Sequence, residues 1–160
     1  DWNNVQAHYE TTGPEIIREV PDVSAIVFSV GTGGSLYGIS KYVNEHNKKT
    51  KIIAVTADKN TVLSGLYSFS GGDYVTPFYK EFLKSGLISY NCEITESEAR
   101  QGLEILRDKG FYVGICTGAI LQGAIKAVED LNLSGKILII SGDSGWKNTQ
   151  YLSTFKEEHK

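Results

Sequence analysis

The sequence predicts an α/β fold of three layers, αβα, around a mostly parallel, twisted sheet. Three observations predict it. The runs "SAIVFSV" (24–30), "KIIAVTA" (51–57) and "KILIIS" (136–141) are almost continuously apolar and β-branched, the pattern of strands covered on both faces. Segments of helical period separate them. Glycine-rich loops stand where the period changes, most densely in "GTGGS" (31–35).

The elements follow in order. After a polar lead with no cap or strand of its own, "TTGPEIIREV" (11–20) reads as a short helix, with Pro14 in its first turn and Pro21 just past its end. Strand 24–30 comes next. From Ser35 a helix carries Leu36, Ile39 and Val43 on one stripe, with Lys41, Asn44 and Glu45 opposite. Strand 51–57 completes a β-α-β unit, whose strands should be parallel. Residues 59–86 are less periodic, with a loop at Gly71 and Gly72 and a short helix near 77–84. "LISYNCEI" (87–94) reads as a further strand. The next helix opens on Thr95 and Glu98, at capping-box spacing, and closes on Gly110. "FYVGI" (111–115) is expected to be a short strand, followed by a helix from about 118 to 131 and the last strand at 136–141. The tail "FKEEHK" is expected to fray.

A chain of 160 residues fits one domain, 1–160, and can bury a core without disulfides. A net charge of -3 argues against a nucleic-acid surface or a polybasic membrane patch. No apolar run reaches the ~18 residues of a membrane span. Cys92 and Cys116 have no CxxC spacing, which sets a reducing, cytoplasmic compartment as the expectation. His8, His46 and His159 are scattered, so no metal cluster is expected.

In a parallel sheet, ligands sit outside the carboxyl ends of the strands. Three candidate loops lie there: Gly31-Thr32-Gly33-Gly34-Ser35, Cys116-Thr117-Gly118 and Gly142-Asp143-Ser144-Gly145. The first suits an anion. Its glycines let backbone N–H groups turn inward, a helix N-terminus follows, and Thr32 and Ser35 add hydroxyls. The alternative is a glycine-rich turn that only links strand to helix. A dinucleotide fingerprint would need a third glycine where Leu36 stands, and Asp58 lies beyond its strand. No Gly-Lys-Ser/Thr follows, so the P-loop pattern fails as well. "GDSG" (142–145) lacks a histidine context for a serine nucleophile. Cys116 near a helix N-terminus could be a thiolate or, more plainly, a small buried thiol.

Taken in order, "AHYETTGPEI" (7–16), "GTGGSLYGISKYV" (31–43), "KIIAVTAD" (51–58), "GFYVGICTGA" (110–119) and "GDSGWKNTQYLST" (142–154) resemble the cysteine synthase and cystathionine β-synthase family, pyridoxal-phosphate enzymes of fold type II. The resemblance covers the chain from Asn3 to Thr154 and matches only the family's C-terminal half. It implies that Gly31, Thr32, Gly33, Gly34 and Ser35 cradle the phosphate of pyridoxal 5'-phosphate. It implies that Cys116 stands where a serine usually meets the pyridine nitrogen, and that Asp143 and Ser144 line the far side of the ring. A thiol or hydroxyl there leaves the nitrogen largely neutral, which suits loss of a β-leaving group.

The implied reaction is β-replacement on O-acetylserine or O-phosphoserine with a sulfur nucleophile, in a cytoplasmic homodimer. The family's Schiff-base lysine and its Thr/Ser-Gly-Asn substrate loop are not matched by any residue here. Lys41, Lys48, Lys49, Lys51, Lys109 and Lys136 all stand in other contexts. The expectation is a piece of a larger enzyme, inactive alone, whose sheet lacks a strand and exposes an apolar edge. A departure from the family pattern at 66–76 leaves the leaving group and nucleophile open, and Asn148-Thr149-Gln150 reads as extra length before "YLST". Cystathionine β-synthase, a diaminopropionate-type synthase or a non-catalytic binding module are the alternatives.

Overall fold

The computed structural model describes residues 1–149. Gln150, the "YLST" motif at 151–154 and the tail expected to fray lie outside the described residues. Six α-helices, four strands and one 3-10 turn make up the described chain: α1 (Trp2–Glu10), α2 (Thr12–Glu19), β1 (Val23–Ser29), α3 (Gly34–His46), β2 (Lys51–Ala57), α4 (Pro77–Lys84), β3 (Tyr90–Ile94), α5 (Glu96–Asp108), α6 (Ile115–Asp130), β4 (Lys136–Ile139) and the turn Gly145–Asn148. The strands pair in the order β3-β2-β1-β4, parallel throughout.

Alternation along the strands builds two cores. Ala25, Val27, Ile53, Val55, Cys92 and Ile94 face α5 and α6. Ile26, Phe28, Ile52 and Ala54 face the other way, onto Leu36, Ile39 and Val43 of α3 and Phe82 of α4. Both faces are therefore apolar, and β1 and β2 read as unbroken apolar runs. The fold is the three-layer αβα sandwich that the alternation predicts.

Three expectations need correction. The polar lead is a helix. Asp1 caps α1 by accepting from the Asn3 N–H at 3.0 Å. Only Val5 of this helix is buried, so its apolar stripe is too thin to read from sequence. It gains its place by close approach: a side-chain carbon at Gly38 of α3 would lie 2.3 Å from the Val5 carbonyl oxygen.

Second, 111–115 is not a strand. Phe111 and Tyr112 are exposed, and only Val113 pairs, in a single antiparallel bridge to Ser144. Apolar aromatics without burial mimic a strand in sequence. Third, α6 therefore starts at Ile115, and Cys116 and Thr117 belong to its first turn rather than to a loop. The strand at 87–94 shortens to β3; Leu87 and Ile88 pack instead against the core under α3 and α4. The capping box of α5 forms as the spacing predicts, with the Thr95 hydroxyl accepting from the Glu98 N–H and Glu98 accepting from the Thr95 N–H.

β4 is an edge strand. Ile137, Leu138 and Ile139 are only half-buried. Beside the strand lies an open apolar groove of about 370 Å³, lined by Leu121, Ala124, Ile125 and Val128 of α6 with Ile137 and Ile139.

Candidate functional site

The loop 31–35 leaves the carboxyl end of β1 and becomes the first turn of α3. The first N–H groups of any α-helix have no partner within it. In α3 no side chain supplies one: the N-cap is Gly33, and no backbone acceptor among the described residues takes the N–H of Gly34, Ser35 or Leu36. Gly33, Gly34 and Leu36 are buried. Orphan helix donors need acceptors, and these converge at the positive end of a helix dipole. No acidic residue stands in the first turn. An anion with several oxygens fits this cradle, and a phosphate group is such an anion.

Glycine is required here by conformation as well as by space. Gly33 has φ +82°, and a side-chain carbon on it would meet Tyr79 of α4 at 3.0 Å. The loop is pinned by the Thr76 hydroxyl, which donates to the Thr32 carbonyl. Thr76 also caps α4 through the Tyr79 N–H, so one side chain ties α4 to the cradle. Thr32 is exposed and Ser35 half-buried, which leaves both hydroxyls open to a ligand.

A turn that sequence reasoning passed over joins the loops. Ser64 and Gly65 belong to the aperiodic stretch after β2. A side-chain carbon on Gly31 would lie 3.1 Å from the Gly65 carbonyl oxygen, and one on Gly65 (φ +90°) would lie 2.7 Å from the Cys116 sulfur. The Cys116 thiol donates to the Ser64 carbonyl at 2.6 Å. The phosphate-type cradle and Cys116 thus share one turn as their common wall. An isolated bridge between Leu63 and Leu66 is all that marks it, and its sequence signal is the single glycine at 65.

Burial pushes the Cys116 thiol up to about 12, with the nearby Asp143 carboxylate adding to the rise. A helix N-terminus favours thiolate, but here desolvation and the neighbouring negative charge win. Cys116 is therefore a neutral thiol, and the nucleophile reading falls. Cys92 is likewise raised, to about 11, chiefly by burial.

The third loop reaches the same place. The Asp143 carboxylate accepts from the Cys116 N–H at 2.8 Å and from the Thr117 N–H at 3.1 Å. Ser144 follows Asp143 directly at the start of the turn Gly145–Asn148, and its side chain makes no capping bond there. His8 bonds Thr12 at 3.0 Å, and His46 stacks on Tyr42. Neither of these two histidines is paired with Ser144, so no serine triad forms among the described residues. Every lysine among the described residues is exposed except Lys126, which is half-buried and pairs with Glu98 at 2.7 Å. No group of side chains among the described residues could hold a metal ion.

Comparison with known proteins accords with this geometry. The chain is 30% identical over 164 residues to cysteine synthase A of Escherichia coli strain K12, across 94% of this chain and 50% of that protein. It is 27% identical over 161 residues to cysteine synthase B of the same strain, across 98% of this chain and 50% of that protein. The chain spans about half the length of these relatives. Among solved structures it superposes on a hydrogen sulfide-producing enzyme from Fusobacterium nucleatum with a TM-score of 0.80 and 27% identity, over 92% of this chain and 52% of that one. A family model described as pyridoxal-phosphate dependent enzyme matches residues 1–142, and on that match the chain belongs to the pyridoxal-phosphate dependent enzyme family.

Proposed function

We propose that this chain forms the cofactor-phosphate half of a cysteine synthase-like enzyme. That enzyme replaces the β-substituent of O-acetylserine or O-phosphoserine with a sulfur nucleophile. The observation that carries the reading is the uncapped first turn of α3, whose N–H groups have no acceptor among the described residues and lie beside the turn that also holds Cys116. Gly33, Gly34 and Ser35 would hold the phosphate through backbone N–H groups, with Thr32 and Ser35 adding hydroxyls. Gly31 leaves room for the Gly65 carbonyl. Cys116 would offer the ring a neutral thiol, and Ser144 and Asp143 would close the far side. Pyridoxal phosphate, when bound, supplies the electron-withdrawing ring that eases departure of a β-leaving group.

The lysine that links the cofactor would come from a complementary half of about the same size. The half-buried edge of β4 and its apolar groove support such a partner, because a strand added there would cover both. We further propose a cytoplasmic homodimer for the assembled enzyme. No helix among the described residues is long and apolar enough to cross a membrane.

The test is titration of the chain with pyridoxal 5'-phosphate. Binding competed by inorganic phosphate is expected, with no single lysine trapped by borohydride. One defined lysine trapped in high yield would overturn the split of labour, and binding that phosphate does not compete would overturn the cradle. In the assembled enzyme, assays with sulfide, homocysteine and amine nucleophiles separate the cysteine synthase reading from the two other synthases.

A second expectation concerns Cys116→Ser. A serine hydroxyl can donate to the Ser64 carbonyl as the thiol does and is the stronger donor. Cofactor affinity is expected to stay within about threefold, less than ~1 kcal/mol, by the same titration. A tenfold loss would show that the sulfur itself is needed.

A further inference from the structure

We infer that Asp143 is a positioning residue: reaching across from the end of β4, it serves as the missing N-cap of α6 and thereby fixes the Cys116 thiol against the Ser64 carbonyl.

The helix has no cap of its own. Gly114 holds the N-cap position and has no side chain to offer. An N-cap carboxylate ordinarily takes the N–H groups of the second and third helical residues. In α6 those are Cys116 and Thr117, and Asp143 takes both, one on each carboxylate oxygen. The Thr117 hydroxyl donates to Asp143 as well, at 2.5 Å. Because that hydroxyl has one proton, the 2.8 Å contact between Ser141 and Thr117 has Ser141 as donor. A directed chain results, Ser141 to Thr117 to Asp143, inside a site where Thr117 is buried.

Backbone contacts hold the carboxylate in place. The Gly114 N–H donates to the Asp143 carbonyl, and the Gly145 N–H donates to the Tyr112 carbonyl, each at 3.3 Å. A side-chain carbon on Gly145 would strike the Tyr112 ring at 2.7 Å. Loop 142–145 is therefore clipped to the segment before α6 on both sides of Asp143. With both carboxylate oxygens engaged by α6, the acid is tied to the helix end and the thiol is the group presented to the shared turn. Burial does most to keep the proton on the Cys116 thiol, and the Asp143 carboxylate beside it adds to the effect.

What the thiol faces rests on the proposed function; where the thiol stands does not, and the test needs no cofactor. Iodoacetamide alkylation of the chain is followed at both cysteines by peptide mass spectrometry across roughly pH 7 to 10. Cys92, buried under α6, is the internal clock for global opening. Removing a negative charge beside a thiol lowers its midpoint, so Asp143→Asn is expected to make Cys116 react about tenfold faster relative to Cys92, with the Cys116 profile moved to lower pH. An unchanged ratio of the two rates, or a profile moved to higher pH, overturns the inference. If Asp143→Asn opens the whole domain and equalises the two cysteines, Thr117→Val decides. It leaves the Cys116 N–H on Asp143 but removes the hydroxyl bond, and is expected to raise the ratio of Cys116 to Cys92 rates above that of the unaltered chain. No rise in that variant overturns the inference. Failure of the phosphate-competition titration would sink the cofactor reading while leaving these rates as expected.

Discussion

Gly118→Ala is expected to destabilise the domain by about 3 kcal/mol or more, a large part of the ~5–15 kcal/mol that holds a domain of this size folded. Helices α5 and α6 meet backbone to backbone at this residue. A side-chain carbon on Gly118 would stand 2.3 Å from the Ala99 carbonyl oxygen and 2.7 Å from the Leu103 nitrogen. One on Gly102 would stand 2.1 Å from the Gly118 carbonyl oxygen. These are main-chain atoms of helices, so no side chain can swing away, and the helices must separate. Separation would open the core where Leu103, Ala119 and Ile120 are fully buried, and it would shift the first turn of α6, two residues from Cys116. Urea unfolding measures the effect as a lowered midpoint. Gly142→Ala is the control: a side-chain carbon there meets nothing within 4 Å, and its cost should stay within ~0.5 kcal/mol. A cost below ~1 kcal/mol for Gly118→Ala would mean that the helices are not packed this closely.

The layers of this fold were legible because burial on both faces leaves an unmistakable mark. A strand such as β1 has no polar face to interrupt Ala25-Ile26-Val27-Phe28. Local signals were legible too: Thr95 and Glu98 define a helix start without any knowledge of the tertiary fold. What escaped depends on partners distant in sequence. The Val5 stripe of α1 is meaningful only beside Gly38. The 111–115 run looks like a strand because aromatic and β-branched residues are apolar whether or not anything covers them. In the candidate site, the glycine cradle announced itself by composition. The Ser64–Gly65 turn did not, since its role is to present a carbonyl, which every residue has. The bond from Asp143 to α6 spans 27 positions in sequence, beyond any capping signature, so Asp143 read only as part of a loop. Strand direction alone placed the loops after β1 and β4 on one edge; Cys116 reaches that edge as the first turn of α6 and not as the exit of a strand. Assigning what each atom does there required the geometry.

Ser35→Asp separates the functional reading of the cradle from a structural one, because the two expected effects have opposite signs. Ser35 is the second residue of α3, in a first turn that carries no acidic residue and no side-chain cap. A carboxylate there complements the helix dipole and should stabilise the fold by roughly 0.3–1 kcal/mol at low salt. If the glycines serve only to turn the chain from β1 into α3, this variant is a harmless or slightly favourable change and nothing else. If the first-turn N–H groups hold a phosphate, the new carboxylate occupies their positive end and repels the ligand. Two unit charges about 4 Å apart, at an effective dielectric of about 20, repel by about 4 kcal/mol. Salt and side-chain motion will relieve part of that, and a loss of about a hundredfold in pyridoxal 5'-phosphate affinity is the expected outcome, near 2.7 kcal/mol. The loss should shrink as ionic strength rises, since Ser35 is only half-buried. Calorimetric titration and a thermal melt on the same sample give both signs at once. A melting temperature held or raised together with weakened binding is the signature of an anion site. Unchanged affinity for pyridoxal 5'-phosphate would show that the phosphate is not held by this turn, whatever the family to which the chain belongs.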